Sequence, residues 1–236
     1  MKPALLSRTL HKWLGLVIGF QLVLWTVSGF YMVVMDLDFI HGDPLVRNLR
    51  TPVAIERAKI GFAEIAQSHP QATQISLRGL PGHPAPVYEV STGTARFLID
   101  AADGQALSPL PETVIQALAR SYYAGKGTLH SVALLKGTPP LEIQTRALPL
   151  WRVDFDDWLE TSLYIHPDTG TLVTRRHRFW RWFDFFWMLH IMDYEQRIDM
   201  NNLLLRVTTI VSLIGVGSGI WLLYFSFRRR PKRAAR

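Results

Sequence analysis

Eight histidines and no cysteine set the ligand chemistry open to this 236-residue chain. Neutral imidazoles bind haem iron or a divalent metal. Thiolate metal sites, iron–sulfur clusters, disulfides and covalent c-type haem are excluded. Three histidines stand where such chemistry has a use. His11 precedes a long apolar run, and His41 lies just past its far end beside Asp36, Asp38 and Asp43. His190 follows an aromatic cluster and is itself followed by Asp193, Glu195 and Asp199. These three are the candidate cofactor ligands, with cofactor-free polar pairing at a membrane interface as the competing reading for His41 and His190. The chain has no His-Glu-x-x-His, no phosphate-binding glycine loop and no recognisable nucleophile–histidine–carboxylate spacing, so no catalytic residue is assigned. His69, His83 and His166 each precede a proline and read as turn residues. His177, among Arg175, Arg176 and Arg178, reads as a surface residue.

Two apolar runs must position these groups. Trp13 to Met35 carries no charge and, as a helix, reaches roughly 34 Å, enough for a hydrocarbon core of ~30 Å. Val207 to Phe227 is also uncharged, and Asp199-Met-Asn-Asn202 can cap the helix that contains it. The first run is too long for a signal peptide, and Met35-Asp36-Leu37-Asp38 offers no small-residue cleavage site. Residues 1–12 and 228–236 hold nine cations and no acid, so the net charge of +7 leaves residues 13–227 at −2. That distribution excludes a nucleic-acid interface and orients a two-pass membrane protein with both ends in the cytoplasm. The expected order is a cytoplasmic start (1–12), a transmembrane helix (13–35), an external domain (36–178), an interfacial aromatic segment (179–202), a second transmembrane helix (203–227) and a basic tail (228–236).

Gly15/Gly19 and Gly215/Gly219 are GxxxG pairs, the spacing that lets membrane helices approach closely. His11, Gly15, Gly19, Leu22, Thr26 and Gly29 fall within about 80° on one helix face. That stripe reads either as a packing face, against the second span or another copy, or as a groove where a flat cofactor is held by His11. His11 and His41 are roughly 45 Å apart along a continuous helix and cannot share one iron. A homodimer through the glycine faces would bring four spans together and pair histidines by symmetry.

Between the spans the pattern is α+β. Ile55 to Gln67 and Glu112 to Tyr122 have helical periodicity. Pro86–Val90 and Ala95–Ile99 read as a hairpin around Ser91-Thr92-Gly93-Thr94, and Leu150–Val153 and Ser162–Ile165 as further strands. Ile99, Gly104 and Leu107 match Ile165, Gly170 and Val173 at an offset of 66, while the helices are offset by nearer 58. Two helix-plus-antiparallel-strand repeats are expected, about 52–108 and 110–175, one of them with an insertion.

The strand Val87-Tyr-Glu-Val90 and the turn Ile99-Asp-Ala-Ala-Asp-Gly-Gln-Ala106 resemble the PepSY domain. Leu10-His-Lys-Trp-Leu-Gly-Leu16 is similar to the first helix of PepSY-associated transmembrane proteins, as is Trp187-Met-Leu-His-Ile-Met-Asp-Tyr-Glu195 with Arg197, Asp199 and Asn201 to a block of that group. The resemblance covers nearly the whole chain. It implies a bacterial cytoplasmic (inner) membrane, a periplasmic domain and, by analogy with larger relatives, haem b and ferric-iron reduction. Those relatives have four spans, whereas this chain has two and no histidine in its second run.

Seven aromatics within Phe179–Trp187 suit an amphipathic helix lying at the membrane–water boundary. Three functions follow. The first is a haem-b component passing electrons outward, supplied by a cytoplasmic flavoprotein donor because the chain has no nicotinamide or flavin motif. The others are a tethered, non-enzymatic PepSY module that binds or regulates a partner or peptidase, and an accessory subunit of a membrane complex.

Overall fold

The computed structural model describes residues 3–93 and 95–227. The expected basic tail, Lys2 and the hairpin residue Thr94 lie outside the described residues. The helices are α1 (Pro3–Val34), α2 (Leu37–His41), α3 (Phe62–Ser68), α4 (Glu112–Tyr122), α5 (Arg178–Ile191) and α6 (Leu203–Phe227). The strands are β1 (Gln74–Arg78), β2 (Val87–Thr92), β3 (Ala95–Asp100), β4 (Thr128–Leu135), β5 (Leu150–Asp156), β6 (Ser162–Ile165) and β7 (Leu172–Arg176). The chain is α+β and divides into two compact units, Met1–Met35 with Trp182–Arg236, and Asp36–Arg181.

The first unit contains two helices long and apolar enough to cross a membrane, over His11–Val34 and Leu203–Tyr224, each with mean hydropathy 1.8. Little of either helix is buried within the protein. Phe20 and Val33 are 70% and 85% exposed, and the outward faces of both helices are large aliphatic and aromatic side chains that need an apolar covering. α1 starts at Pro3, ten residues before the uncharged run, because proline suits the first helical position and no glycine or proline interrupts residues 4–12. α1 and α6 pack antiparallel: His11 meets Gly219, and further along α1 Ile18 meets Gly215.

The second unit has two antiparallel sheets, in the orders β1-β2-β3 and β4-β5-β6-β7. One core joins them: Val87 and Leu98 from the first sheet, Val153 and Leu163 from the second, and Ile115 and Leu118 from α4. Two sequence expectations change here. The helix expected over Ile55–Gln67 is a 3-10 turn (Ile55–Arg57), an extended link and then α3. The link is drawn out because Lys59 and Ile60 both donate backbone N–H groups to the Ala101 carbonyl, at 2.8 and 2.9 Å. This tertiary pairing overrides a local period and seats Ala58 and Ile60 against Ile65, Tyr88 and Ile99. The presumed insertion holds strand β4, which has no clean alternation because a bulge falls at His130. Leu129 and Val132 therefore both face the core although they are three residues apart.

The two turns related by the offset of 66 carry the same hydrogen bonds. Asp100 N donates to Gln105 O and Gly104 N to Asp100 O, both at 2.9 Å; His166 N donates to Thr171 O and Gly170 N to His166 O, also at 2.9 Å. Each first side chain accepts from the backbone two residues on, Asp100 Oδ1 from Ala102 N and His166 Nδ1 from Asp168 N. Gly104 and Gly170 are both left-handed, at φ 77° and 67°. Their surroundings differ. A Cβ at Gly170 would lie 2.7 Å from Leu118 Cδ1 and 2.9 Å from Leu110 Cδ1, whereas the nearest atom at Gly104 is 3.7 Å away. Gly104→Ala should cost about 1 kcal/mol, the left-handed penalty alone. Gly170→Ala should cost about 2–4 kcal/mol, because overpacking adds to it. Thermal melts of both variants check the ordering.

Candidate functional site

Two of the three candidate histidines sit in matched settings within the first unit. His11 Nδ1 lies 2.8 Å from Ser218 Oγ, and His190 Nδ1 lies 2.9 Å from Ser28 Oγ. In both places the serine precedes a glycine that leaves room for the ring. A Cβ on Gly219 would stand 3.1 Å from His11 Cε1, and one on Gly29 would stand 3.5 Å from His190 Cε1. Ser-Gly on α6 thus receives a histidine from α1, and Ser-Gly on α1 receives a histidine from α5. Trp25 reinforces the second contact by donating its indole N–H to the His190 carbonyl at 2.9 Å.

The serines decide the tautomer of each ring. Ser28 Oγ is 2.7 Å from the Leu24 carbonyl and Ser218 Oγ is 2.7 Å from the Gly215 carbonyl. A carbonyl only accepts, so each hydroxyl hydrogen is spent on its own helix and the hydroxyl oxygen is left to accept from imidazole. Nδ1 is therefore the donor nitrogen in both histidines, and in the neutral ring Nε2 is the one with the free lone pair. That is the form in which imidazole ligates iron, with the second nitrogen held by an outer hydrogen bond. Ser28 lies 17 residues from His11 along α1, about 26 Å, so the pairs serve two centres rather than one.

Between these ends the helix contact is partly polar. Gln21 Nε2 and Ser212 Oγ are buried and lack a hydrogen-bond partner. Within the expected small-residue stripe, His11 and Gly29 meet another helix, whereas a Cβ at Gly15 or Gly19 would meet nothing within 4 Å. Gly215 and Gly219 face Ile18 and His11 of the same chain.

Several of the neighbouring carboxylates have structural employment. Asp36 caps α2 by accepting from Phe39 N, and Asp43 pairs with Arg175. Asp193 accepts four backbone N–H groups, from Glu195, Gln196, Ile198 and Asp199, which hold its carboxyl below the ordinary value. Asp184 pairs with Arg197 at 2.5 Å. Among the described residues, no three histidine, aspartate or glutamate side chains come together as a metal site. His41, in the second unit, has an exposed ring, and its backbone carbonyl accepts from Arg175 Nε at 2.8 Å.

His177 corrects the sequence reading outright. It is fully buried rather than on the surface, with Nε2 donating to the carbonyls of Phe39 (2.9 Å) and Ile40 (3.1 Å). Burial pushes its pKa below the ordinary imidazole value, against the two carbonyl bonds, which pull it up. Elsewhere in this unit, a cleft of about 450 Å³ lies beside His130, Arg152, Asp154 and Arg181. Burial works to raise Asp154, but bonds from Ser162, Arg152 and Ser131 outweigh it and keep the carboxylate ionised. Within it Arg152 pairs with Asp154 at 2.8 Å, while Arg181 pairs with Glu142 at 2.8 Å and Glu160 with Arg178 at 2.5 Å.

Sequence reasoning missed Ser28, Ser218 and Trp25. The available signal was the Ser-Gly dipeptide in each apolar run. No protein-family model matches the chain, and no curated protein or solved structure matches it either.

Proposed function

We propose that this chain is a two-pass inner-membrane protein of PepSY type that holds haem b through His11 and His190 and passes electrons outward to ferric iron. Both ends lie in the cytoplasm, and the second unit, read as two PepSY-like repeats, is periplasmic. A cytoplasmic flavoprotein supplies the electrons. The carrying observation is the matched pairing: two histidines that meet serines, His11 at one end of the helix pair and His190 against the other end of α1, each with Nδ1 within hydrogen-bond distance of Oγ and Nε2 the nitrogen not engaged by the serine. The donor set fits an imidazole-ligated group, with one ligand for each centre in a protomer. Bound haem would supply one-electron exchange; the residues supply a fixed ring orientation and a basic nitrogen at each end. A second copy, docking through the open Gly15/Gly19 face, is the source of further ligands.

The test is a reduced-minus-oxidised visible spectrum of full-length protein purified from cells with ample haem. A Soret band with b-type α and β bands is expected. A colourless protein would overturn the reading and leave the histidine–serine pairs as interhelical hydrogen bonds holding a tethered domain.

A further inference from the structure

We propose that Trp158, displayed by the β5–β6 turn, is a lipid contact: with Phe39 and Phe179 it forms an aromatic cluster that, together with the exposed Leu37 of α2, rests in the headgroup region of the bilayer. All four residues belong to the Asp36–Arg181 unit. Trp158 is 66% exposed and Leu37 is 55% exposed. The Trp158 ring stands edge-on to Phe179 at 5.7 Å, and Phe179 stands edge-on to Phe39 at 5.5 Å.

The exposure is imposed by a rigid turn. Asp157 accepts from Thr161 N at 2.9 Å and from Thr161 Oγ1 at 2.7 Å, and Tyr123 donates its hydroxyl to the same carboxylate at 2.5 Å. Glu160 N donates to Asp157 O at 2.9 Å, with Glu160 itself left-handed at φ 54°. A fixed indole facing water leaves a large apolar area uncovered.

Chain continuity selects lipid as the covering. Leu37 and Phe39 are the third and fifth residues beyond α1, and Phe179 is the second residue of α5. The cluster therefore draws on the segment that leaves α1 and on the start of the aromatic helix α5. The exposed Arg178–Glu160 ion pair beside it, at 2.5 Å, provides a polar rim suited to headgroups. Indole prefers this boundary because its body is apolar and its N–H stays wet.

This inference rests on α1 and α6 crossing a bilayer, and the experiment separates the two. The chain has no cysteine, so one introduced cysteine is a unique site for a nitroxide. Trp158→Cys and Leu37→Cys report on the face, Val27→Cys on the α1 surface, and Ile55→Cys on an exposed position elsewhere in the domain. Each labelled full-length chain is placed in phosphatidylcholine–phosphatidylglycerol vesicles, and collisions with oxygen and a water-soluble nickel complex are measured. Labels at 158 and 37 should collide severalfold more often with oxygen, as at 27, with the reverse at 55. Water-like labels at 158 and 37 beside a lipid-like 27 overturn the proposal alone. A water-like 27 overturns the membrane reading with it. Dipolar broadening at 158 assigns the face to a second copy and also overturns the proposal.

Discussion

With His190 replaced by alanine, full-length protein from haem-replete cells should lose one of the proposed b-type centres completely, and His11→Ala should remove the other. The expectation follows from the separation of the two sites, since His11 and the Ser28 that meets His190 lie about 26 Å apart along α1, which prevents either histidine from substituting for its counterpart. The double variant is colourless. Ser28→Ala tests the tautomer argument itself: His190 remains, but nothing fixes its proton on Nδ1, and loss of such an outer partner costs about 10–100-fold in affinity. Titration of reconstituted protein with haem measures that shift. His41→Ala separates the third candidate, because its exposed ring predicts unchanged absorbance. Full absorbance in both His11→Ala and His190→Ala would remove the ligand assignment.

The second large effect concerns His177. His177→Ala leaves two buried carbonyls without their donor and a void between Phe39 and Phe179, whose rings stand 5.2 and 6.5 Å from the imidazole. The expected loss is about 2–3 kcal/mol. The native residue also makes stability pH-dependent. Its folded pKa is depressed, so above an unfolded value of about 6.5 the residue is neutral in both states and its contribution is complete. As pH falls below that value the unfolded chain takes up a proton that the folded chain refuses, and stability declines until the folded pKa is passed. Arg181 deepens the effect and Asp157 opposes it. His177→Gln keeps an N–H donor and removes the titration. Unfolding midpoints of full-length protein in detergent between pH 7.5 and 5 should fall more steeply for native protein than for this variant; parallel slopes would remove His177 as the cause.

The elements that depend on local pattern were legible in the chain. Twenty or more uncharged residues specify an apolar helix because each side chain contributes independently of its neighbours, and both runs fold so. The β2–β3 hairpin, α4 and the two glycine turns were equally readable, since turn chemistry and helical period act within a few residues. Strand β4 was not, because one bulged residue at His130 shifts the alternation by which a strand is recognised.

The site required the tertiary structure. Ser218 lies 207 residues from His11, Ser28 lies 162 from His190, and the Phe39 carbonyl lies 138 from His177. No periodicity connects positions so far apart. The same histidine–arginine run that reads as solvated surface places His177 in the core, because this residue, lying between β7 and α5, turns inward onto the Phe39 and Ile40 carbonyls while Arg175 and Arg176 bond the carbonyls of His41 and Glu142. Residue type by itself determined what these imidazoles are able to bind. Only the packing of helix on helix decided which nitrogen holds the proton, because that depends on a hydroxyl whose hydrogen is already committed to its own helix.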